Sequence, residues 1–193
     1  MRFRPVRHTP ALLLGAIALG AAACGGGSGG GPGQAQAPAP PVLSAAAVAY
    51  LPSTARRLTA ADLASEIRRP ALASELAGWG FTGAAERSFQ GESHRLTVVD
   101  SRTLDFRTAA GARSFVTFVH AHVAAYLGVF PTVHRSATAG RSGWAFRAQS
   151  CACPGSMPLW LGVTSAGRRV TWLEINGPSA TARTLAALEA RAP

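Results

Sequence analysis

The sequence predicts an α+β fold, in which an antiparallel sheet of about four to six strands packs against helices. Alternating apolar positions mark strand segments on both sides of one long amphipathic stretch. That stretch has the 3.6-residue period of a helix, and a second helical segment closes the chain. We therefore expect the long helix and the C-terminal helix to cover the sheet.

Short helices open the globular part, which we place at residues 45–193 as a single domain. Thr59 and Asp62 have the spacing of a capping box, in which each side chain binds the other residue's backbone N–H. Pro70 ends this first helix, because proline lacks a backbone N–H and clashes with the preceding turn. A second helical turn is predicted over 71–77, ending at Gly78.

A strand region follows at 85–90 and 94–107. Gly91 separates the two segments, and both contain β-branched or alternating apolar residues. Val99 interrupts the alternation of apolar positions along the second segment. We therefore expect a bulge or a turn near Asp100 and Ser101.

The long helix is predicted over 109–127, with Thr108 as its N-cap and Gly128 as its end. The residues at helical spacing form a single apolar stripe that consists of Phe115, Phe118, Val119, His122, Val123, Tyr126 and Leu127. This stripe places His122 at the edge of the core and His120 on the surface. Since residues two apart on a helix do not share a face, the two histidines do not form a ligand pair.

The C-terminal third is predicted to be mostly strand. The expected segments are 132–138, 144–150, 159–164 and 169–175. With Ala166 and Gly167 at the tip of a hairpin, Val163 would face Val170. Both faces of that hairpin are apolar, so it belongs at the centre of the sheet. Ser179 is then the predicted cap of a last helix that runs to about residue 190.

The N-terminus has the three parts of a secretory signal peptide over residues 1–23. Three arginines precede the uncharged, mostly apolar segment 11–19, and small residues at 21–23 come directly before Cys24. The apolar segment is too short to cross a membrane, which takes about 20 residues. We therefore predict export of the chain.

Small residues followed by Cys24 resemble a bacterial lipobox, in which the cysteine is acylated and becomes the mature N-terminus. The residues after it, 25–44, are rich in glycine and then proline, a composition typical of a flexible spacer. Ala21 stands where lipoboxes usually carry leucine, and residues 21–23 also suit ordinary signal peptidase. That alternative would leave Cys24 as a secreted, unmodified cysteine.

These first forty residues resemble the small surface lipoproteins of GC-rich Gram-positive bacteria, including actinobacteria. The resemblance implies a protein held on the outer face of the cell membrane by acyl chains on Cys24. The layout of the domain is loosely similar to Mog1/PsbP-type lipoprotein and sensor domains. No functional residue of those domains can be assigned to a position in this sequence.

The basic residues are all arginine, nineteen in number, and the formal net charge is +10. Without the signal peptide, sixteen arginines stand against nine acidic residues. A mildly basic surface outside the cell would meet anionic lipid headgroups and wall polymers. The arginines are scattered, with no dense basic run, so nucleic-acid binding is not expected.

Cys151 and Cys153 form the only unusual local motif and leave three hypotheses open. A mutual disulfide requires a turn in the backbone, because residues two apart in a strand lie roughly 6.5–7 Å apart. A redox-active couple is the second hypothesis. The third is a metal site, for which His94 and His134 are the candidate further ligands.

No catalytic set is visible in the sequence. It contains no G-x-S-x-G elbow, no phosphate loop within a strand–loop–helix context and no evident pair of carboxylates. The sequence therefore favours a non-enzymatic binding or accessory module with an unidentified ligand and no cofactor. The alternative is a thiol-redox or metal-carrier protein that uses Cys151 and Cys153.

Lipidation of Cys24 can be tested on the protein itself. We expect the mature N-terminus to be an acylated Cys24 and the Cys24→Ser variant to leave the membrane fraction, because two acyl chains are needed for stable anchoring. Mass spectrometry of the mature N-terminus checks this. An unmodified amino terminus on protein released into the medium would contradict the prediction.

Overall fold

Seven strands form one antiparallel sheet in the computed structural model, which describes residues 39–138, 140–149 and 156–193. The strands are β1 (Ser53–Leu58), β2 (Phe81–Gln90), β3 (Val98–Phe106), β4 (Thr132–Thr138), β5 (Arg141–Gln149), β6 (Pro158–Ala166) and β7 (Arg169–Asn176). Their spatial order is β1-β2-β3-β7-β6-β5-β4. The predicted α+β class and antiparallel sheet are confirmed, whereas the expected number of strands was too low.

The strand that sequence reasoning missed is β1, at one edge of the sheet. Its four residues from Thr54 to Arg57 are all exposed, and only Leu58 at its end is buried. An edge strand with so little apolar alternation has no periodic signal for a sequence pattern to detect. It forms because its backbone pairs with β2 along its whole length.

The strands of the sheet define two opposite ends of the domain. Because all neighbouring strands are antiparallel, β1, β3, β4 and β6 begin at the same end, which we call the lower end. The β4–β5 and β6–β7 turns lie at the opposite end, which we call the upper end.

Four α-helices are described: α1 (Ala60–Glu66), α2 (Leu72–Gly78), α3 (Ala109–Leu127) and α4 (Ala182–Glu189). The capping box of α1 is confirmed, since the Thr59 hydroxyl accepts the Asp62 N–H and Asp62 accepts the Thr59 N–H. The long helix has the predicted bounds, with the Thr108 cap and Gly128 in the left-handed region. None of the described helices is long and apolar enough to cross a bilayer.

The last helix begins two residues later than predicted. The Thr181 hydroxyl, rather than Ser179, accepts the first helical hydrogen bond, from the Thr184 N–H at 3.1 Å. Gly177 and Pro178 precede it, and the chain needs Ser179 and Ala180 to turn from β7 into the helix. Both residues at issue are good N-caps, so composition alone does not choose between them.

Both faces of the sheet are covered. On one face, which we call the α3 face, helices α1, α2 and α3 pack over Leu104, Phe146 and Trp172. On the other, the α4 face, helix α4 and the segment before β1 pack over Phe89, Leu173 and Ile175. The central strand β7 is consequently buried on both sides, as its apolar sequence predicted.

Two details of strand pairing differ from expectation. The loop of the β6–β7 hairpin consists of Gly167, with φ at 54°, and Arg168, so that Val163 pairs with Trp172 rather than Val170. The expected irregularity at Asp100 and Ser101 is absent from β3, which pairs there without interruption. Val99 keeps its place because the α4 face of β3 is buried too.

Helix α3 approaches the rest of the molecule most closely at Gly111. A Cβ atom added there would overlap the backbone carbonyl of Trp79. We expect Gly111→Ala to lower the free energy of unfolding by about 1–3 kcal/mol, as overpacking does, although alanine is the better helix former.

The matched control is Gly78→Ala, at the end of α2, where nothing lies within 4 Å of the added Cβ atom. This change should be neutral or stabilise by up to about 1 kcal/mol. Urea unfolding followed by tryptophan fluorescence measures both variants. Equal effects of the two substitutions would contradict the packing described here.

Candidate functional site

The three cysteines singled out by the sequence, Cys24, Cys151 and Cys153, lie outside the described residues. Acylation of Cys24 and the three hypotheses for Cys151 and Cys153 therefore stay predictions. Within the predicted spacer, residues from 39 onward are described, and Leu43 is buried there. Its backbone N–H donates to the Ser101 hydroxyl at 3.3 Å.

The candidate metal ligands His94 and His134 are not brought together. His94 is exposed in the turn between β2 and β3, whereas His134 lies on β4 and stacks on Trp160. The widths of β7, β6 and β5 separate the two positions. Within the described ranges, no three His, Cys, Asp or Glu side chains are placed to hold a metal ion.

The two histidines of α3 both contact aromatic rings. His122 stacks on Phe118, as its place in the stripe predicted. The prediction of a surface position for His120 was wrong, since its half-buried ring stacks on Trp144 with the ring centroids 3.9 Å apart. The buried face of α3 also includes Val116 and is wider than the predicted stripe, so it reaches His120.

A buried ionic cluster lies on the α3 face, between β2, β3 and α1. The Arg102 guanidinium, which is 8% exposed, pairs with Glu86 at 2.6 Å and with Glu66 at 2.8 Å. Arg56 on β1 bonds the second oxygen of Glu86 at 2.7 Å. Burial would raise the pKa of Glu86, but the charges and hydrogen bonds of Arg102 and Arg56 outweigh burial and lower it.

Two further carboxyls continue this cluster toward the lower end of the sheet. Asp100 on β3 and Glu174 on β7 are directly opposite each other in the strand register. The Tyr126 hydroxyl, from the last turn of α3, donates to Glu174 at 2.8 Å. Burial raises the pKa of both carboxyls, and the negative charge of Asp100 raises the pKa of Glu174 further.

The interior and the helix caps engage most of the acidic residues of the domain. Glu66, Glu75, Glu86 and Asp105 form ion pairs with arginines, and Asp62 caps α1. Glu174 and Glu189 accept hydrogen bonds from Tyr126 and Ser136. Since arginines outnumber acids by sixteen to nine in the chain beyond the signal peptide, the excess positive charge is left for the surface.

Part of that excess lines a cleft of about 350 Å³ at the upper end of the sheet. Its walls come from the start of β2, the end of β3 and the β6–β7 turn, with Phe106 among the lining residues. Three arginines line it, namely Arg107, Arg168 and Arg169. We call this feature the upper cleft.

The arginines of the upper cleft differ in their partners. Arg169 forms a bidentate ion pair with Asp105, at 2.8 and 3.2 Å. No carboxylate among the described residues lies within ion-pair distance of Arg107 or Arg168, and both are exposed. Their backbones are fixed, because Phe106 N–H donates to the Arg168 carbonyl and Arg107 N–H donates to the Gly80 carbonyl. The cleft therefore presents two uncompensated guanidinium groups on an ordered frame.

Sequence reasoning identified neither the ionic cluster nor the upper cleft. The residues of the cleft come from three segments, at Thr82, 105–107 and 168–169, and the β2–β3 and β3–β7 pairings bring them together. A signal was present in the Arg168-Arg169 pair at the hairpin turn, opposite Asp105 of the neighbouring strand β3. This sequence signal can be interpreted only when the order of strands in the sheet is known.

Comparisons with known proteins assign no family to this chain. No protein-family model matches it, and no curated protein matches it. Among solved structures it is similar to the extracellular domain of PknH from Mycobacterium tuberculosis, at 14% identity and a TM-score of 0.38. The match covers 73% of this chain and 76% of that one. A TM-score this low supports no inference about this chain.

The ionic cluster predicts opposite effects for two similar substitutions. Glu86→Gln should lower the free energy of unfolding by about 3 kcal/mol at neutral pH, because it removes the main partner of a buried guanidinium. The pKa of Glu86 is lowered in the fold, so its stabilising charge acts above the unfolded pKa of about 4.3 and is lost below it.

Glu174→Gln should raise the free energy of unfolding at neutral pH, since the pKa of Glu174 is raised and its ionised form is disfavoured in the fold. The amide oxygen still accepts the Tyr126 hydrogen bond. The gain should shrink as the pH falls and vanish below about 4.3, because the carboxyl is then protonated in both states. Urea unfolding at several pH values measures both variants, and a loss of stability in Glu174→Gln at pH 7 would contradict this account.

Proposed function

We propose that this chain is an exported, lipid-anchored binding module of the cell envelope, whose upper cleft holds an anionic group of an envelope component. The predicted signal peptide, the lipobox-like position of Cys24 and the Gly/Pro-rich segment after it support this location. The arginines that line the upper cleft support binding of an anionic group. On this proposal the protein binds and does not catalyse.

The observation that carries the proposal is the difference between neighbouring arginines. Asp105 neutralises Arg169, but Arg107 and Arg168 face the same cleft without such a partner. An acid placed beside each of them would have stabilised the isolated domain, as Asp105 does for Arg169. A ligand that brings its own negative charge fits the two guanidinium groups instead.

Guanidinium groups favour ligands with planar or tetrahedral oxyanions, because their N–H donors match the geometry of carboxylate and phosphate. The size of the upper cleft suits one such oxyanion and a few neighbouring atoms of the ligand, rather than a whole lipid tail or a large cofactor. Phosphate esters are the shared chemistry of lipid headgroups and of many wall polymers. We therefore propose a phosphodiester as the group bound.

The lining of the cleft offers binding groups and little for catalysis. Its one carboxylate, Asp105, is held by Arg169 and is not available as a general base. The Thr82 hydroxyl donates to the backbone carbonyl of Asp105 at 3.0 Å, which fixes the wall of the cleft rather than activating a nucleophile. These contacts support binding over turnover.

The test uses a soluble probe and two matched charge variants. We expect the mature chain to bind an oligomer of glycerol phosphate, and Arg107→Gln/Arg168→Gln to weaken that binding at least about tenfold, the equivalent of one charge-assisted hydrogen bond. Arg95→Gln/Arg183→Gln removes the same charge elsewhere and should weaken binding only about twofold, through the general field. Isothermal titration calorimetry measures each affinity.

A second arm separates the two sources of phosphate. If the ligand is a wall polymer, the oligomer competes with isolated cell wall for the protein and has no effect on vesicle binding. If it is a lipid headgroup, short-chain phosphatidylglycerol displaces the oligomer instead. Equal loss of oligomer binding in the two double variants would overturn the assignment of the upper cleft as the site.

A further inference from the structure

Large apolar side chains that remain exposed are gathered at one end of the molecule. Among the described residues these are Tyr50, Phe130, Val133 and Met157. Phe130 is the extreme case, with 96% of its surface exposed. Tyr50, Val133 and Met157 are 40–44% exposed, and Phe130 leaves nearly its whole side chain in water, which burial against an apolar surface would favour.

The strand topology explains how they come together. Tyr50, Phe130 and Met157 each precede a strand that begins at the lower end of the sheet, namely β1, β4 and β6. Val133 is the second residue of β4. None of the four belongs to the upper end, where the cleft lies. The lower end thus carries apolar side chains on several separate connections.

Positive charge accompanies these side chains. Arg95, in the turn between β2 and β3, lies over the Tyr50 ring at 5.5 Å from its centroid. Arg147 pairs with Thr132 at the start of β4, and Arg183 lies in the first turn of α4, which follows the lower end of β7. Glu92 is the one acidic residue in the turn beside Arg95.

We propose that the lower end of the sheet docks on an anionic bilayer, with the Phe130 ring inserted at the boundary between headgroups and acyl chains. Aromatic and apolar side chains on several loop tips, mixed with arginines, are typical of a membrane-interface surface. A protein partner would favour a contiguous groove, which separate loop tips do not form. Arginines beside inserted side chains add electrostatic attraction to anionic lipids.

The predicted tether suits this partner. Cys24 precedes the first described residue, Ala39, by about fifteen residues, which reach roughly 20 Å as a glycine-rich coil. A domain held that close to a bilayer meets it at a high effective concentration, so even a weak surface docks. The docking surface is separate from the upper cleft; its argument rests on the lipid anchor of the proposed function but not on ligand binding by that cleft.

Vesicle sedimentation tests the docking directly, with the mature chain carrying Cys24→Ser so that only the protein surface can bind. We expect binding to vesicles of phosphatidylglycerol and phosphatidylcholine, and little binding to phosphatidylcholine alone. Phe130→Ser should weaken it about tenfold, as expected for loss of one inserted aromatic side chain. Since Phe130 is almost fully exposed, thermal unfolding should be unchanged.

Charge variants at the two ends form a matched pair. Arg95→Gln/Arg183→Gln should weaken vesicle binding about thirtyfold, the equivalent of about 1 kcal/mol for each of two arginines near the surface. Arg57→Gln/Arg113→Gln carries the same change toward the upper end, outside the upper cleft, and should weaken it less than about threefold. Equal losses would show binding by net charge alone and overturn the oriented docking.

Insertion depth gives an independent measurement. Phe130→Trp should show fluorescence quenching by brominated lipids, whereas Ala166→Trp, at the exposed upper hairpin, should show none beyond the background of the native tryptophans. Failure of Phe130→Trp to respond in vesicles that bind the protein would overturn the proposal. Glycerol phosphate binding through the upper cleft is scored separately and can succeed or fail on its own.

Discussion

Burial of the central strands on both faces is the constraint on which the rest of the structure depends. Trp172 of β7 is 1% exposed on the α3 face, while its neighbours Leu173 and Thr171 are buried on the α4 face. A sheet of this kind cannot leave either side open, so the chain must supply a cover for each. Helices α1 to α3 cover one side, and α4 with the segment before β1 covers the other.

The need to cover the α3 face also affects where the acidic side chains lie. Toward β1 and the lower end, the part of the α3 face that lies under α1 and the last turn of α3 carries polar and ionic side chains. Four of the nine acidic residues of the chain lie there, namely Glu66, Glu86, Asp100 and Glu174. Arg56 and Arg102 form ion pairs within this group, and the Tyr126 hydroxyl donates a hydrogen bond to it. Acidic side chains engaged in the interior do not balance arginines at the surface. The basic surface is therefore partly a consequence of the ionic cluster in the interior.

Sequence reasoning succeeded where a single segment contains its own signal. The α3 stripe, its Thr108 cap and the capping box of α1 are local patterns, and the structure has all of them. It failed where a position depends on neighbours distant in the chain. The register of the β6–β7 hairpin differs by one turn residue, and His120 is half-buried because Trp144 lies opposite α3. The edge strand β1 exists only through pairing with β2.

The candidate sites also depend on contacts between segments that are distant in the chain. The upper cleft needs the β3–β7 pairing to place Arg169 on Asp105, and only then do Arg107 and Arg168 stand out as arginines without a carboxylate. The sequence shows an arginine excess but cannot show which arginines are compensated, because compensation is a property of contacts between strands. Composition therefore predicts a basic surface, and the fold divides the arginines of the cleft into one paired with a carboxylate and two without such a pair among the described residues.

Antiparallel topology separates the two proposed surfaces. With seven strands alternating in direction, the upper cleft lies where β2 begins, β3 ends and the β6–β7 hairpin turns. The chain enters β1, β4 and β6 at the lower end, and the residues just before these strands include the exposed Phe130. A domain docked through those connections would hold its arginine cleft away from the bilayer by the length of a strand. For β3, that is nine residues or roughly 30 Å. The cleft would then face the wall side of the envelope, which favours a wall polymer over a lipid headgroup as the source of its phosphodiester.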